Sequence, residues 1–539
     1  MIRVYCKEDG LFIKAEFKHK ALCKQVPGAR WQPSIKVWKY AKTPFISKAI
    51  HETFSDVCAI DWCKESQELL YKGMCVGKMQ GIKDRDDLED VPVSKTTAWN
   101  HQRQAFWFAK DLDAVMLNMD MGTGKSKVTV DLCANRDSKK ILIMCPKSVV
   151  DVWPNEFKIH AGVDYRCLPL RKGSVAKKKE EAERFIKIYG KTERVVVVIN
   201  FDSAWREPFA SWAKKAGFDC VVVDESHQIK SPTGKRSKFC AAMGKVSPRR
   251  IALTGTVMPH SPLDVYGQYR FLDQGIFGTN YSLFKQKYAI MGGFQEKQVL
   301  GFRHEQEIHD KMMQIAYRVG KEVLDLPEFT DNERICELPA SAKKLYQQLE
   351  DEFYAQVETG EVTVSNALTK LLRLQQVTGG FIKKDDDEIE NVHDEKKKAL
   401  MEIIESVGDE PVVSFGRFQY DLDKIKESSE VLGRTCAELS GRENTLEEWK
   451  RGEYDDIAIQ IQAGGAGIST VRAAYCVYYS LGFSLGDYEQ SRARIHRPGQ
   501  NRAVNYYHLI TDGTIDRAVY RALSKRKKVV NDILDMGRG

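Results

Sequence analysis

Val115–Asp131, VMLNMDMGTGKSKVTVD, is the stretch on which the reading of the fold turns. An apolar burst of strand length runs into Gly122, Thr123, Gly124, Lys125 and Ser126 and then into a helical pattern. Backbone amides freed by the glycines, together with a helix N-terminus, make a cradle for phosphate oxygens. In such a cradle Lys125 reaches the β- and γ-phosphates and the Ser126 hydroxyl is a ligand for Mg²⁺. The strict spacing asks for a glycine at 119, where Met119 stands. Taken alone, the pattern is also met in a glycine turn before a surface helix; the strand ahead and helix behind favour the phosphate loop.

Outward from this loop the same rhythm continues. Apolar bursts at Ala114–Leu117, Ile141–Cys145, Val195–Ile199, Cys220–Val223 and Arg250–Leu253 alternate with longer helical stretches, as buried parallel strands do in layered α/β domains. The rhythm lapses from about Phe271 to Glu395, where helix-period segments (Ala342–Thr359, Asn366–Val377) and the run KKDDDEIENVHDEKKK stand instead. It resumes at Val412–Phe415, Ile457–Ile461 and Ala474–Tyr479. The expected architecture is α/β: two parallel-sheet lobes with a helical insertion, plus a small α+β N-terminal domain. The expected boundaries are 1–60 for the small domain, 61–95 for a charged linker, 96–275 for the first lobe, 276–395 for the insertion and 396–539 for the second lobe.

Cys220–His227 reads CVVVDESH, a buried strand ending in two carboxylates. Beside a phosphate loop such a strand end holds Mg²⁺ and activates water, Asp224 suiting the metal and Glu225 the base. In isolation the same letters also cap a helix; in combination with GKS they point to nucleoside triphosphate binding. Farther on, YEQSRARIHRPGQ (Tyr488–Gln500) follows the glycine-rich IQAGGAGIST (Ile461–Thr470). Arg494 and Arg497 are three apart, which on a helix places them on one face, where guanidinium groups could meet a γ-phosphate.

The ordered set HQRQ, MGTGKS, CPKSVVDVWPNEF, DESH, LTGT, AGGAGI and RIHRPGQ resembles helicase superfamily two and, within it, the Swi/Snf family of double-stranded DNA translocases, over about residues 97–520. The resemblance implies two RecA-like lobes, ATP with Mg²⁺, and DNA-stimulated hydrolysis. By motif position it implies that Gln102 reads adenine and that Gly122, Thr123, Gly124, Lys125 and Ser126 hold phosphate and metal. Asp224 and Glu225 become the Mg²⁺ and water-activating carboxylates. His227, Thr254, Gly255, Thr256, Gly465, Gly467 and Gln490 couple the nucleotide to movement, and Arg494 with Arg497 supplies the arginine finger. Lys147, Ser148, Asn200, Ser203, Arg417 and Gly464 fall where the family grips the phosphate backbone, and RVGKEVLDLP (Arg318–Pro327) resembles its exit into the second lobe. The sequence departs from the family at Val257 and His260 in LTGTVMPH and in SLGFSLG (Ser480–Gly486). Those changes put coupling and the DNA track in doubt, not hydrolysis.

GARWQPSIKVWKY (Gly28–Tyr40) interleaves Arg30, Lys36 and Lys39 with Trp31, Trp38 and Tyr40. Cations among aromatics stack bases and bind phosphate, although aromatics also build the core of a small sheet. The segment resembles the HARP domain of annealing helicases, which implies recognition of forked or branched DNA by Arg30, Trp31, Lys36 and Trp38.

Composition narrows the remaining classes. Of 539 residues 42% are apolar and 29% charged, so wholesale disorder is excluded. No apolar run approaches the ~18 residues of a membrane span, and Lys7, Glu8 and Asp9 stand where a signal peptide needs an apolar core. Thirteen scattered cysteines without a C-x-x-C point to a reducing compartment; Cys58, Cys63 and Cys75 near His51 fit no finger spacing. The net charge of +8 leans only slightly toward nucleic acid. These features point to an intracellular protein, not secreted. Taken with the family resemblance and the small set of domains around the motor, the expectation is a monomer in a prokaryote or an infected host cell. The resemblance implies that it works without a membrane, on double-stranded or branched DNA, alongside replication or recombination proteins. An unwinding helicase on DNA or RNA, and an ATP-gated clamp with little turnover, stay open as alternatives.

Overall fold

The computed structural model describes residues 1–8, 10–293, 298–358, 364–383, 388–462 and 468–535. The chain divides into two compact units, one containing Met1–Val323 and the other Leu324–Val529.

The first unit begins with a five-stranded sheet of β1 (Ile2–Lys7), β2 (Gly10–Lys14), β3 (Arg30–Gln32), β4 (Val37–Tyr40) and β5 (Ile60–Trp62), in the order β3-β4-β2-β1-β5. All pairings are antiparallel except β1 with β5. Alternate residues Ile2 and Val4, Leu11 and Ile13, and Trp38 and Tyr40 turn inward onto Ile46, Ile50 and Phe54 of the helix Pro44–Phe54, as a pleat of period two requires. Thr43 caps that helix, accepting from Ile46 N at 3.3 Å, with Pro44 in the first turn where its missing N–H costs nothing.

The expected linker is not a linker throughout. Ile60–Trp62 joins the small sheet and Lys64–Met79 is a helix packed on Pro44–Phe54. Gly73 is where the two helices touch: a Cβ there would lie 2.5 Å from Pro44 O.

The larger sheet of this unit contains β6 (Ala114–Met119), β7 (Lys140–Cys145), β8 (Arg166–Leu170), β9 (Val195–Asn200), β10 (Cys220–Asp224) and β11 (Arg249–Thr254). After the hairpin β12 (Ala289–Gly292) and β13 (Gln298–Phe302), a seventh strand, β14 (Ala316–Val319), closes its edge. The order is β14-β6-β11-β10-β7-β9-β8 and every pair is parallel. β6, β9 and β10 are buried at every position, so sheet faces covered on both sides demand the continuous Val and Ile runs seen in the sequence.

The second unit carries β15 (Phe329–Cys336), the short hairpin β16 (Phe381–Lys383) and β17 (Ile389–Asn391), then β18 (Val412–Gly416), β19 (Cys436–Leu439), β20 (Asp456–Gln460), β21 (Tyr475–Tyr478) and β22 (Val504–Thr511). Six of these form an all-parallel sheet in the order β15-β22-β21-β18-β20-β19. Leu400, Ile404, Val412, Leu422, Ala458 and Val477 share its core.

The helices Ala340–Glu358 and Val364–Thr378 lie where the insertion is expected. The boundaries 276–395 are nonetheless corrected, because β14 completes the first large sheet and β15 opens the second. Among the described residues no helix is long and apolar enough to cross a membrane, and all thirteen cysteines are unpaired.

Candidate functional site: the carboxyl edge of the first large sheet

β6, β11 and β10 lie side by side, with Asn118 opposite Thr254 and Leu253 opposite Asp224. Their carboxyl ends therefore release the phosphate loop, the Thr254-Gly255-Thr256 turn and the Asp224-Glu225 pair onto one edge. Neighbouring strands are ~4.8 Å apart, so the three fall within ~10 Å of lateral distance. The edges of open parallel sheets bind ligands for this reason: strand ends and helix N-termini converge there.

In the loop, Gly122 and Gly124 have φ of 88° and 87°, a left-handed backbone that side chains resist. Gly124 opens the helix Lys125–Asn135. A Cβ on Gly124 would sit 2.2 Å from Gln102 Nε2. Gln102 is buried at the start of the helix Asn100–Ala109, accepting from Trp99 N at 3.0 Å and donating to Thr123 O at 3.1 Å. His101 Nε2 donates to the same carbonyl at 2.8 Å, and Thr123 Oγ1 donates to Asp120 O at 2.6 Å. The loop is thus pinned from both flanks. Lys125 Nζ curls onto Met119 O at 2.7 Å and Asp120 O at 3.2 Å.

Asp224 is buried. Its Oδ2 accepts from Trp153 Nε1 at 3.1 Å and its Oδ1 from Glu225 N at 2.9 Å. Burial first, and then the neighbouring Glu225 charge, push its pKa up to about 7, while Lys125 pulls it down. Glu225 has φ 51°, a left-handed conformation for a non-glycine residue, and such strain gathers at functional sites. Its Oε2 lies 3.3 Å from His227 Nδ1, which stands 3.4 Å from Thr254 Oγ1. Thr254 Oγ1 accepts from Thr256 N at 3.0 Å. Gly255 runs beside the loop, its would-be Cβ 3.5 Å from Met119 O. His227 therefore sits between the Glu225 carboxylate and the TGT turn.

These groups fit a magnesium nucleotide. The glycine amides and the helix start suit phosphate oxygens, and Ser126 with Asp224 offers oxygen ligands to Mg²⁺. A divalent ion beside Asp224 would restore the charged form that burial disfavours.

The edge continues into β7 and β9, whose ends pair Cys145 with Asn200. Lys147 and Ser148, exposed in the turn after β7, thereby come beside Asn200 and Ser203 after β9. Asn200 and Ser203 are not open in the way their motif position implies. Lys178 Nζ donates to Asn200 Oδ1 at 3.1 Å and to Ser203 Oγ at 2.9 Å. Burial and the nearby Lys147 charge lower the Lys178 pKa.

Three supporting residues escaped the sequence reading: Trp153, Lys178 and Gln268. Gln268 accepts from Ser226 Oγ at 2.7 Å and donates to Val257 O at 2.7 Å, tying the DESH turn to the stretch after TGT. Only Trp153 had a signal, since it lies inside CPKSVVDVWPNEF.

In the second unit, Gln490 and buried Arg494 lie on the helix Leu485–Ile495. Arg497 lies beyond that helix, so the two arginines do not share a helical face as expected; Pro498 disfavours helical backbone at the residue before it. His496 Nε2 instead donates to Pro327 O at 2.7 Å. Arg497 Nη1 donates to Ile468 O at 3.1 Å, and burial lowers its pKa. Arg417 binds the Gln375 side chain, and its backbone N–H donates to Ser480 Oγ at 2.8 Å and Asp421 Oδ2 at 3.1 Å. Gly464, Gly465 and Gly467 lie outside the described residues.

In the small sheet Trp31 is 44% exposed, whereas Trp38 is 7% exposed and belongs to the core. The assignment of Trp38 to DNA is corrected accordingly: Trp31 packs on it, ring centroids 5.3 Å apart. Arg30 and Lys36 are exposed.

Comparison with known proteins accords with this geometry. An SNF2-related domain matches residues 58–379 and a helicase conserved C-terminal domain matches residues 395–499. The chain is 26% identical to putative protein p41 of Acyrthosiphon pisum secondary endosymbiont phage 1, covering 77% of this chain and 92% of that protein. It is 23% identical to the putative ATP-dependent helicase/translocase YwqA of Bacillus subtilis, covering 77% of this chain and 45% of that one. To the DNA annealing helicase and endonuclease ZRANB3 of Mus musculus it is 26% identical over 59% of this chain and 30% of that one. The chain thus spans less than half the length of the latter two relatives. With the SNF2-related match extending over more than half of its residues, the chain belongs to the SNF2-related family of helicase-type ATPases.

Proposed function

We propose that this chain is an ATP-hydrolysing translocase on double-stranded DNA that remodels or anneals forked and branched DNA in replication, repair or recombination. One observation carries the reading. The nucleotide groups after β6, β11 and β10 and the candidate backbone-gripping groups after β7 and β9 share one sheet edge, four strand steps or ~19 Å from end to end.

In the proposed reaction the amides at Gly122–Ser126 and the Lys125 ammonium hold the triphosphate, with Mg²⁺ held by Ser126 and Asp224 to offset its charge. Glu225 takes the proton of a water that attacks the γ-phosphorus as the bond to the bridging oxygen breaks. Trp153 fixes the Asp224 carboxylate, so that the metal ligand cannot rotate away. Arg494 and Arg497 are the cations proposed to meet the charge developing on the γ-phosphate, a role worth ~10³–10⁵ in rate in related chemistry. His227, between Glu225 and Thr254, relays the state of the nucleotide to the TGT turn. Lys147 and Ser148 contact phosphates, which makes binding tolerant of sequence and steeply weakened by salt.

The test is the rate of phosphate release over a panel of linear duplex, single-stranded, forked and four-way DNA and RNA. The proposal expects stimulation by duplex-containing DNA, strongest on forks or branches. Stimulation by single strands or RNA alone would refute it in favour of an unwinding helicase, and a flat, slow rate on every nucleic acid would favour a clamp.

A further inference from the structure

Between the small N-terminal sheet and the first large sheet's helices Lys235–Val246 and Val265–Leu272 lies a cavity of ≈ 430 Å³. Its walls carry Arg30 and Lys39 from the small sheet and Lys238, Lys245 and Arg270 from the two helices. No aspartate or glutamate lines it. So dense a cluster of one sign repels itself and is costly without a counter-charge.

For Arg30, Lys238, Lys245 and Arg270 the contacts among the described residues supply little of that counter-charge. Arg30 Nη2 reaches across to Thr279 Oγ1 at 3.2 Å, a neutral partner. Arg270 Nη2 donates to Pro232 O at 2.8 Å and to Ser237 Oγ at 3.0 Å, again neutral, and its buried Nε has no hydrogen-bond partner. A buried donor left without an acceptor is expensive. Lys238 and Lys245 are exposed and make no ion pair among the described residues. They stand seven residues apart on one helix, two turns along the same face and ~10 Å apart along its axis. A row of that length covers about three repeats of a phosphodiester chain, whose charges recur at ~3.4 Å of axis per strand, and exceeds the span of one phosphate.

We infer that this cavity is a second nucleic-acid site, away from the nucleotide edge, in which the phosphodiester backbone of one arm of a branched DNA lies against Arg30, Lys238, Lys245 and Arg270. The inference rests on the DNA-acting reading above and adds to it a place where the small domain and the motor sheet hold the same strand. It moves the DNA contact from the aromatic ladder to the seam: Arg30 stays in it, Trp38 does not.

The test uses the full chain with Lys238→Ala/Lys245→Ala and, from the opposite wall, Arg30→Gln. Each phosphate contact contributes about 0.9 to the slope of log affinity on log salt. Removing two contacts, as the double variant does, should therefore make that slope shallower by about 2 and weaken binding to forked DNA at least about 10-fold at moderate salt. Arg30→Gln should shift both in the same direction by about half as much. Phosphate release at saturating linear duplex should be unchanged in both variants.

Unaltered fork affinity and salt slope would overturn the inference, as would an equal loss of duplex-stimulated hydrolysis, which would assign the lysines to the motor itself. Lys238-dependent binding of tripolyphosphate without any change in fork binding would also overturn it, in favour of a free polyphosphate. A wild-type chain whose hydrolysis answers to no DNA would refute the proposed function instead, so the two failures are distinct.

Discussion

At the residue scale the nucleotide loop owes its shape to glycines whose necessity can be stated in ångströms and degrees. Gly124 combines φ 87° with a neighbour, Gln102 Nε2, that a Cβ would approach to 2.2 Å. The glutamine is flexible and could move; the backbone angle is the harder obstacle, at about 1–2 kcal/mol for an L-residue. Gly124→Ala should weaken ATP binding by about 5- to 30-fold, measured by titration with a fluorescent ATP analogue, while the fold survives. Adding Gln102→Ala removes the clash but not the strain, so the double variant should stay weak; full recovery would contradict this reading.

Much of the site was legible at this scale because phosphate and metal chemistry tolerate few residue types. Lys125, Asp224, Glu225 and His227 come together at the carboxyl edge of one sheet. Gln268 and Lys178 were illegible because their roles are set by partners far away in sequence, Ser226 and Val257 for one, Asn200 and Ser203 for the other. Trp38 was misread for a related reason: a tryptophan in a strand looks the same in a core as on a binding face.

At the scale of elements, the central strands were plain and the edge strands were not. β6, β7, β9 and β10 announce themselves as apolar runs because both faces are covered. β15, FTDNERIC, is exposed at nearly every position, and β8, RCLPL, contains a proline that only an edge tolerates; neither has a hydrophobic pattern to read. In the helix Lys64–Met79, which falls in the stretch expected as a charged linker, Gly73 serves close approach rather than flexibility. Ala would favour the helix by about 1 kcal/mol, but its Cβ would lie 2.5 Å from the Pro44 carbonyl oxygen and 3.1 Å from Lys48 Cβ. Gly73→Ala should therefore destabilise the small domain by about 1–3 kcal/mol, seen as a lower denaturation midpoint; a stabilised variant would contradict the packing described.

β22 makes a pH prediction. His508 stacks on Tyr478 with ring centroids 5.0 Å apart, and its Nε2 meets Tyr488 OH at 2.9 Å. Arg492 Nη1 donates to that phenol oxygen at 3.0 Å, leaving the phenol proton for a bare Nε2. Burial holds the imidazole pKa down at about 4 against an ordinary 6.5. The neutral ring's contribution is thus complete above pH ~6.5 and is lost as pH falls toward about 4, at up to about 1.4 kcal/mol per pH unit. His508→Phe should flatten the acid limb of unfolding free energy in that window; an identical limb would show that His508 does not titrate against folding.

For the whole molecule, the boundary between units at Val323 and Leu324 falls inside RVGKEVLDLP, the segment read as an exit into the second lobe. The extent of the insertion was misjudged because β14, on one side of that boundary, is only four residues long and β15, on the other, is exposed along nearly its whole length. The all-parallel sheets and the SNF2-related match make a helicase-type ATPase; what the account adds is a placement of labour along one sheet edge, with Glu225 as the base. The most direct measurement is phosphate release by Glu225→Gln beside the wild type, with saturating duplex DNA and with ATP binding measured in the same preparations. The account predicts ATP bound with near wild-type affinity and hydrolysis reduced at least about 100-fold; release at the wild-type rate would contradict it.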